Sequence, residues 1–387
     1  MTATAAELAL MQGMPPPDER LVTLANWQEG PFNRWAFQHV SEVVPCAVLG
    51  RGDGPVLPLP HALEDLDPLL DGFLERTYTD GFIVLRKGRI VFERYCNGLT
   101  ERTPHLLQSV SKSFASALVG SLVEKGLVEL ERHARDYVPE LWSSGFGDAT
   151  VGQLLDMSAS IVFSEEYADP ASEVQAQDRA AGWRPRHPGD PENSYAFLCS
   201  LRKDGEHGRT FQYCSASTDA LAWVLERASG RRYADLLAAE LWQRLGAEHD
   251  AWITVDSAGF GFANGGMCVT LRDLARFGHL MLKGGGVNGV RITPSPWVEH
   301  GRRDNTRLMA DGDFKAAYPR GFYADKWWHT GDERGTFYGV GIYGQYVWIV
   351  PKSQLVIAKL SSLPSALDPS VTAEHHSMFR SLTDTLG

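Results

Sequence analysis

The chain has 387 residues, 43 % of them hydrophobic, and a formal charge of −11 at pH 7. That length supports one large domain or two lobes around a real core. The acidic balance argues against nucleic acid or an anionic membrane as the main partner.

The opening segment, MTATAAELALMQGMPPP, lacks a basic start and carries Glu7 inside a weak apolar stretch, unlike a secretion signal. No apolar run approaches the ~20 residues of a membrane span. Five cysteines without paired spacing suit reduced thiols, so a cytoplasmic location is expected. CxxC, HExxH, Walker-loop and strand-bound GxGxxG patterns are all missing, and the consecutive His375-His376 is not a metal-ligand spacing. Neither a metal nor a cofactor is expected.

Residues 1–60, rich in Pro, Trp and Gly, read as an extension wrapped on the body. FIVLRKGRIVFERY (82–95) is a hairpin of two alternating runs about Lys87-Gly88. HLLQSVSKSFASALVGSLVEKG (105–126) reads as a helix, with Val110, Phe114, Ala117, Leu118 and Leu122 on one stripe. The opposite face is small (Ser113, Ser116, Gly120, Ser121), which predicts burial on most sides.

From about 127 to 260 the chain is mostly helical, TDALAWVLERASG and YADLLAAELWQRLG being the clearest periodic segments. TLRDLARFGHLMLKGGG begins a further helix at a Thr/Asp cap. GQYVWIVPKSQLVIAKLSS is a second hairpin, and TAEHHSMFRSLTDTL a closing amphipathic helix. Strands near both ends with helices between them predict an α+β fold. One antiparallel sheet would be shared by the N- and C-terminal strands, with a helical lobe inserted. Residues 61–387 would form one catalytic domain, its sheet-bearing part about 61–126 and 265–387 and its helical lobe about 127–264.

Between Arg102 and Glu124 the only fully charged side chain is Lys112. Ser109 lies three residues before it, on the same face near the helix start. A free lysine titrates near ~10.4, but burial lowers that value by several units. A lysine so tuned can take the proton of a serine hydroxyl and make it a nucleophile. A buried stem with its head in solvent would give the same pattern.

A serine nucleophile also needs a proton relay and oxyanion donors. FQYCSAST supplies Tyr213 and Ser215 as a Tyr-x-Ser at a turn into a helix. Two stretches could supply the third element: WWHTG, with His329, and GVGIYGQ, Gly339 to Gln345. The second runs straight into a strand, and its glycines are expected to clear space for substrate on a rigid edge strand. The backbone amides of Ile342 and Ser109 are therefore favoured, with the His329 stretch as the alternative.

In that order, Ser-x-x-Lys, Tyr-x-Ser and a Gly-rich strand resemble the serine β-lactamase and penicillin-recognising superfamily. The nearest branch is the one with class C β-lactamases, D,D-peptidases and β-lactamase-like carboxylesterases. Within it the chain looks most similar to the nylon-oligomer amidases, through NRWAFQH, SVSKS, DPASEVQ, DRAAGWR, FQYCSA, FGFANGG, RDLARFG, GIYGQ and KLSS.

The resemblance implies a β-lactamase-like fold and a small-molecule substrate, without nucleic acid or membrane, and suggests a homodimer. Ser109 would be acylated, Lys112 would accept its proton, Tyr213 would relay it, and the Ser109 and Ile342 amides would hold the oxyanion. Tyr167 would close over substrate and hydrogen-bond the amide nitrogen. Asp178 would attract a free ammonium group and Asn264 would support the pocket. Trp183 and Trp328 would line an apolar channel, with Ser215 and Tyr343 also at the substrate. His329, where a smaller residue is expected, and Tyr343, in the slot of a family histidine, depart from the family pattern.

The activity implied is amide hydrolysis of short linear 6-aminohexanoate oligomers through an acyl-enzyme, with ester hydrolysis beside it. The alternative is a carboxylesterase of the same fold with little amidase activity. A β-lactamase or D,D-peptidase is disfavoured because Lys-Thr-Gly is missing.

Overall fold

The computed structural model describes residues 2–287, 289–310 and 312–387. Its strands in chain order are β1 Cys46–Leu49, β2 Thr79–Arg86, β3 Arg89–Tyr95, β4 His105–Leu106, β5 Ala251–Thr254, β6 Met267–Val269, β7 Gly286–Val287, β8 Val290–Arg291, β9 Phe322–Ala324, β10 Trp327–His329, β11 Phe337–Gly341, β12 Gln345–Val350 and β13 Leu355–Ser361. Four helices frame the site: α1 Ser111–Glu124, α2 Ala216–Ser229, α3 Leu271–Leu282 and α4 Pro369–Leu386. Among the described residues the main sheet has seven antiparallel strands in the order β3-β2-β13-β12-β11-β10-β9. A smaller sheet runs β1-β5-β6-β4.

Both predicted hairpins form. Lys87 and Gly88 both take positive φ (52° and 75°), which matches the right-handed strand twist through a tight turn. The alternation along these strands serves two cores, because successive side chains leave a sheet on opposite faces. On β2, Ile83 and Leu85 join α1 and α3 in one cluster. Phe82 and Val84 meet α4 through Phe379 and Leu382 in the other. β12 divides the same way, Val347 and Ile349 against Tyr346 and Trp348. The sheet is thus the middle layer of an α/β/α stack that joins both chain ends.

α1 is buried all round from Ser111 to Leu122, as its small face predicts. A Cβ on Gly120 would lie 2.5 Å from the Trp297 indole, so the missing side chain lets another element close onto the helix. On the sheet side, Phe114 stacks on Phe277 of α3 with ring centroids 3.8 Å apart.

One sequence expectation needs correction. The predicted 105–126 helix starts late, because His105–Leu106 pairs with β6 as strand β4 and Gln108–Val110 is a 3₁₀ turn. The ladder holds the backbone extended until Leu107, whose N–H donates to Met267 O at 2.8 Å. The GVG stretch keeps one open side as expected: β10 pairs β11 only at Phe337 and Tyr338, and Gly339 to Gly341 pair with β12 alone.

Candidate active site

Gln108, immediately before Ser109, is held at φ +49°, a left-handed conformation that a side-chain-bearing residue adopts only under surrounding constraint. The chain then turns directly into α1. Ser109 therefore sits at the lip of the helix and Lys112 one turn inside it. Lys112 is 1 % exposed. Its Nζ donates to Ser109 Oγ at 2.7 Å and to the backbone carbonyl of Asn264 at 2.9 Å.

Burial pushes the Lys112 ammonium down to about 8, against the opposing pull of Glu165 and Asp219. Relative to an ordinary lysine this is worth ~3 kcal/mol and leaves roughly one molecule in ten neutral at pH 7. Tyr213 lies beside the same serine on the cavity wall: burial and then Glu165 raise its phenol's pKa, and the Ser109 side chain partly offsets that rise. The Lys112 ammonium lies 5.3 Å from the Tyr213 ring centroid. Trp328 stacks on the Tyr213 ring at 6.0 Å and holds its orientation.

Gly341 ends the β11–β12 ladder opposite Gln345, so Ile342 is the first residue past it. A Cβ on Gly341 would lie 2.6 Å from Leu107 O and 3.0 Å from Ser109 N, and one on Gly339 would lie 2.9 Å from Ser113 Oγ. These glycines make room for the nucleophile turn and for α1, and Gly341 also lines the cavity above Ser109. Gln345 clamps the turn from behind, its Nε2 donating to Ser361 O at 2.6 Å and Tyr343 O at 3.3 Å.

Above Ser109 lies a cavity of about 560 Å³, within the usual range for small-molecule sites. Ser109, Tyr167, Tyr213, Trp328 and Ile342 all line it, so five of the expected site residues converge. Its far wall is aromatic, built by Tyr318, Tyr338 and Tyr346, with Asp313 and Asp368 also on the lining.

Other expected residues lie elsewhere. Asp178 is not on this lining, and its carboxylate already accepts from Arg184 Nε (3.1 Å) and Gln28 Nε2 (3.4 Å). Trp183 is core: it packs on Trp27 and Phe262, and its indole N–H donates to Thr254 Oγ1 at 2.9 Å. Tyr343 faces Phe37 (5.2 Å) and borders, with Arg184, an adjoining outer cavity that shares Tyr167 with the cavity above Ser109. Ser215 is 2 % exposed and contributes its backbone N–H to Glu165. His329 is stacked between Phe322 and Phe337 and held neutral by burial at about 3, away from the serine. Asn264 acts from beneath, its carbonyl holding Lys112 while its N–H and Nδ2 donate to Asp219 at 3.0 and 2.6 Å.

Two site residues escaped the sequence reading. Asp219, fully buried on α2, is pushed up to about 7 by burial and anchors the Asn264 loop. Its signal was like that of Lys112: it is the only charged side chain between Arg209 and Glu226. Glu165 lines the cavity and accepts from Tyr167 Oη at 2.6 Å. Its signal was its place two residues before Tyr167 in SEEYADP. Among the described residues no group of three or more His, Cys, Asp or Glu converges to hold a metal ion.

Fold and site together define a serine hydrolase, and the chain belongs to the Beta-lactamase family, whose model matches residues 66–376. It is 47 % identical over 359 residues to the 6-aminohexanoate-dimer hydrolase of Paenarthrobacter ureafaciens, covering 91 % of this chain and 90 % of that one. A Bacillus anthracis structure provisionally assigned the same enzyme name superposes with a TM-score of 0.88 at 30 % identity, covering 96 % of this chain and 98 % of that one. A family VIII carboxylesterase shares the fold at a TM-score of 0.60 and 17 % identity, covering 85 % and 99 %. Among the described residues no helix is long and apolar enough to cross a membrane.

Proposed function

We propose that the protein is an amidase that cleaves short linear 6-aminohexanoate oligomers, chiefly the dimer, through an acyl-enzyme, with carboxylesterase activity beside it. The observation that carries this reading is the 2.7 Å contact from a buried lysine to a serine hydroxyl under an apolar cavity. The 47 % identity to an enzyme named for that substrate supports the choice of amide.

In the proposed cycle neutral Lys112 takes the Ser109 proton as Oγ attacks the carbonyl carbon. The amide N–H groups of Ser109 and Ile342 receive the developing oxyanion, where fixed donors are worth most because they need no reorganisation. Tyr213 passes the proton to the leaving nitrogen, the C–N bond breaks, and the amine departs. Water then repeats the sequence on the acyl-enzyme and releases the acid.

The pentamethylene chain lies against Trp328 and the tyrosine wall, where burying each CH₂ contributes ~0.8 kcal/mol. The ammonium end meets the acidic side chains of the cavity wall in place of Asp178, whose charge Arg184 already balances. A cytoplasmic location and a homodimer belong to the same proposal, read by cell fractionation and by sedimentation.

The test is kinetics on the 6-aminohexanoate dimer beside a short-chain acyl ester. Turnover of both, with an acyl burst on the ester and both lost in Ser109→Ala, is expected. Ester turnover alone would transfer the protein to the carboxylesterases.

A further inference from the structure

Glu165 takes no step in the cycle above, yet it ties Tyr167 on the cavity wall to the start of α2, two residues past Tyr213. Its Oε2 accepts from the Tyr167 phenol at 2.6 Å, and its Oε1 accepts the backbone N–H of Ser215, which opens α2 two residues after Tyr213. A carboxylate only accepts. The Tyr167 proton is therefore committed to Glu165, and the lone pairs of its oxygen face the cavity that both residues line. The backbone beneath is fixed as well, because Gln175 Nε2 donates to Tyr167 O at 2.6 Å.

The direction of that hydrogen bond matters to one substrate class only. When the tetrahedral adduct of an amide collapses, the nitrogen lone pair must point at the proton donor, Tyr213. The remaining N–H then points away and needs an acceptor. An ester oxygen carries no hydrogen and presents a lone pair in any orientation.

We propose that Glu165 is a specificity-determining positioning residue: by taking the Tyr167 proton it makes the phenol oxygen an acceptor for the scissile N–H, and so favours amides over esters. The atoms balance as in the cycle above. Oγ–C forms, C–N breaks, and the serine proton ends on the leaving amine by way of Lys112 and Tyr213. Glu165 and Tyr167 exchange no proton with substrate. The proposal rests on the amidase reading and adds the device that selects the amide.

Glu165→Gln tests it with little change of shape. The glutamine has one acceptor for two donors. With its oxygen on Ser215 N–H, its NH₂ donates to Tyr167 and reverses that bond, turning the phenol O–H toward the substrate. The measurement is kcat/KM for wild type, Glu165→Gln, Tyr167→Phe and the double variant, on the 6-aminohexanoate dimer and on a p-nitrophenyl short-chain ester, each at its plateau pH.

The expected result is an amide loss of about 10- to 100-fold in Glu165→Gln, with ester turnover within about threefold, which also certifies the fold. The double variant should match Tyr167→Phe alone, because the carboxylate acts through the phenol. Glu165→Asp, which keeps two acceptors, should restore part of the amide rate. Equal losses on both substrates, or losses that multiply in the double variant, would overturn the assignment. A wild type that turns over the dimer while Glu165→Gln leaves the amide/ester ratio unmoved removes the Glu165 role alone. A wild type inactive on the dimer removes the amidase reading and this role together.

Discussion

Among the described residues two lysines donate to serine hydroxyls, and one of these pairs sits where chemistry can happen. Lys112 reaches Ser109 from inside α1. Lys359, fully buried on β13, reaches Ser361 two residues along the same strand and also donates to Thr77 O at 3.2 Å. Burial depresses both amines, to about 8 and about 7.

Around Lys359 lies a closed polar network. Asp80 accepts from Arg34 (3.2 Å), Asn97 (2.9 Å) and Ser362 (2.6 Å), and His105 Nε2 stands 3.0 Å from it. Ser361 is fully buried, whereas Ser109 faces the 560 Å³ cavity. A lowered lysine pKa is therefore a consequence of burial in both regions. What makes a nucleophile is a hydroxyl at the boundary between that buried amine and an open site.

Breaking one pair and then the other sharpens the contrast. Lys112→Met should remove acylation, with an ester burst at least about a thousandfold slower in stopped flow. The pH profile comes next. Lys112 must be neutral to accept a proton, so kcat/KM should rise with pH through about 8. Well below that value it should fall about tenfold per unit, roughly fiftyfold between pH 8 and pH 6.

Gly341→Ala places a Cβ against Leu107 O and Ser109 N. It should cost about tenfold in kcat on ester and amide alike, by parting the oxyanion strand from the serine turn. Lys359→Met should be the smallest perturbation, leaving kcat/KM within about threefold. A larger loss there would mean that burial, and not the open site, defines the reactive pair.

How legible this was differs by element. The two hairpins and the small-faced helix were readable because period and residue size are local properties, and the strands of the main sheet alternate between two cores as their spacing implies. Lys112 was readable as the one charge in an apolar run. Asp219, the only charge between Arg209 and Glu226, was passed over because no serine stood three residues away to give it a role. Trp183, and the core contact of Tyr343, were hidden for the opposite reason. An aromatic residue near a site motif packs into core or cavity according to which neighbours arrive from distant segments: Trp27 and Phe37 come from the first 40 residues.

The sequence by itself determined the two hairpins, the four framing helices, the isolation of Lys112 and its spacing from Ser109, because these depend on residues within one or two turns of each other. Tertiary structure alone decided that Arg184 occupies Asp178, that Glu165 orients Tyr167, and that Gly341 makes room for the nucleophile turn. Each of these is a contact between segments far apart in the chain or between donors whose direction only packing can fix. Which acid is already paired, and which way a phenol proton points, are properties of the assembled site.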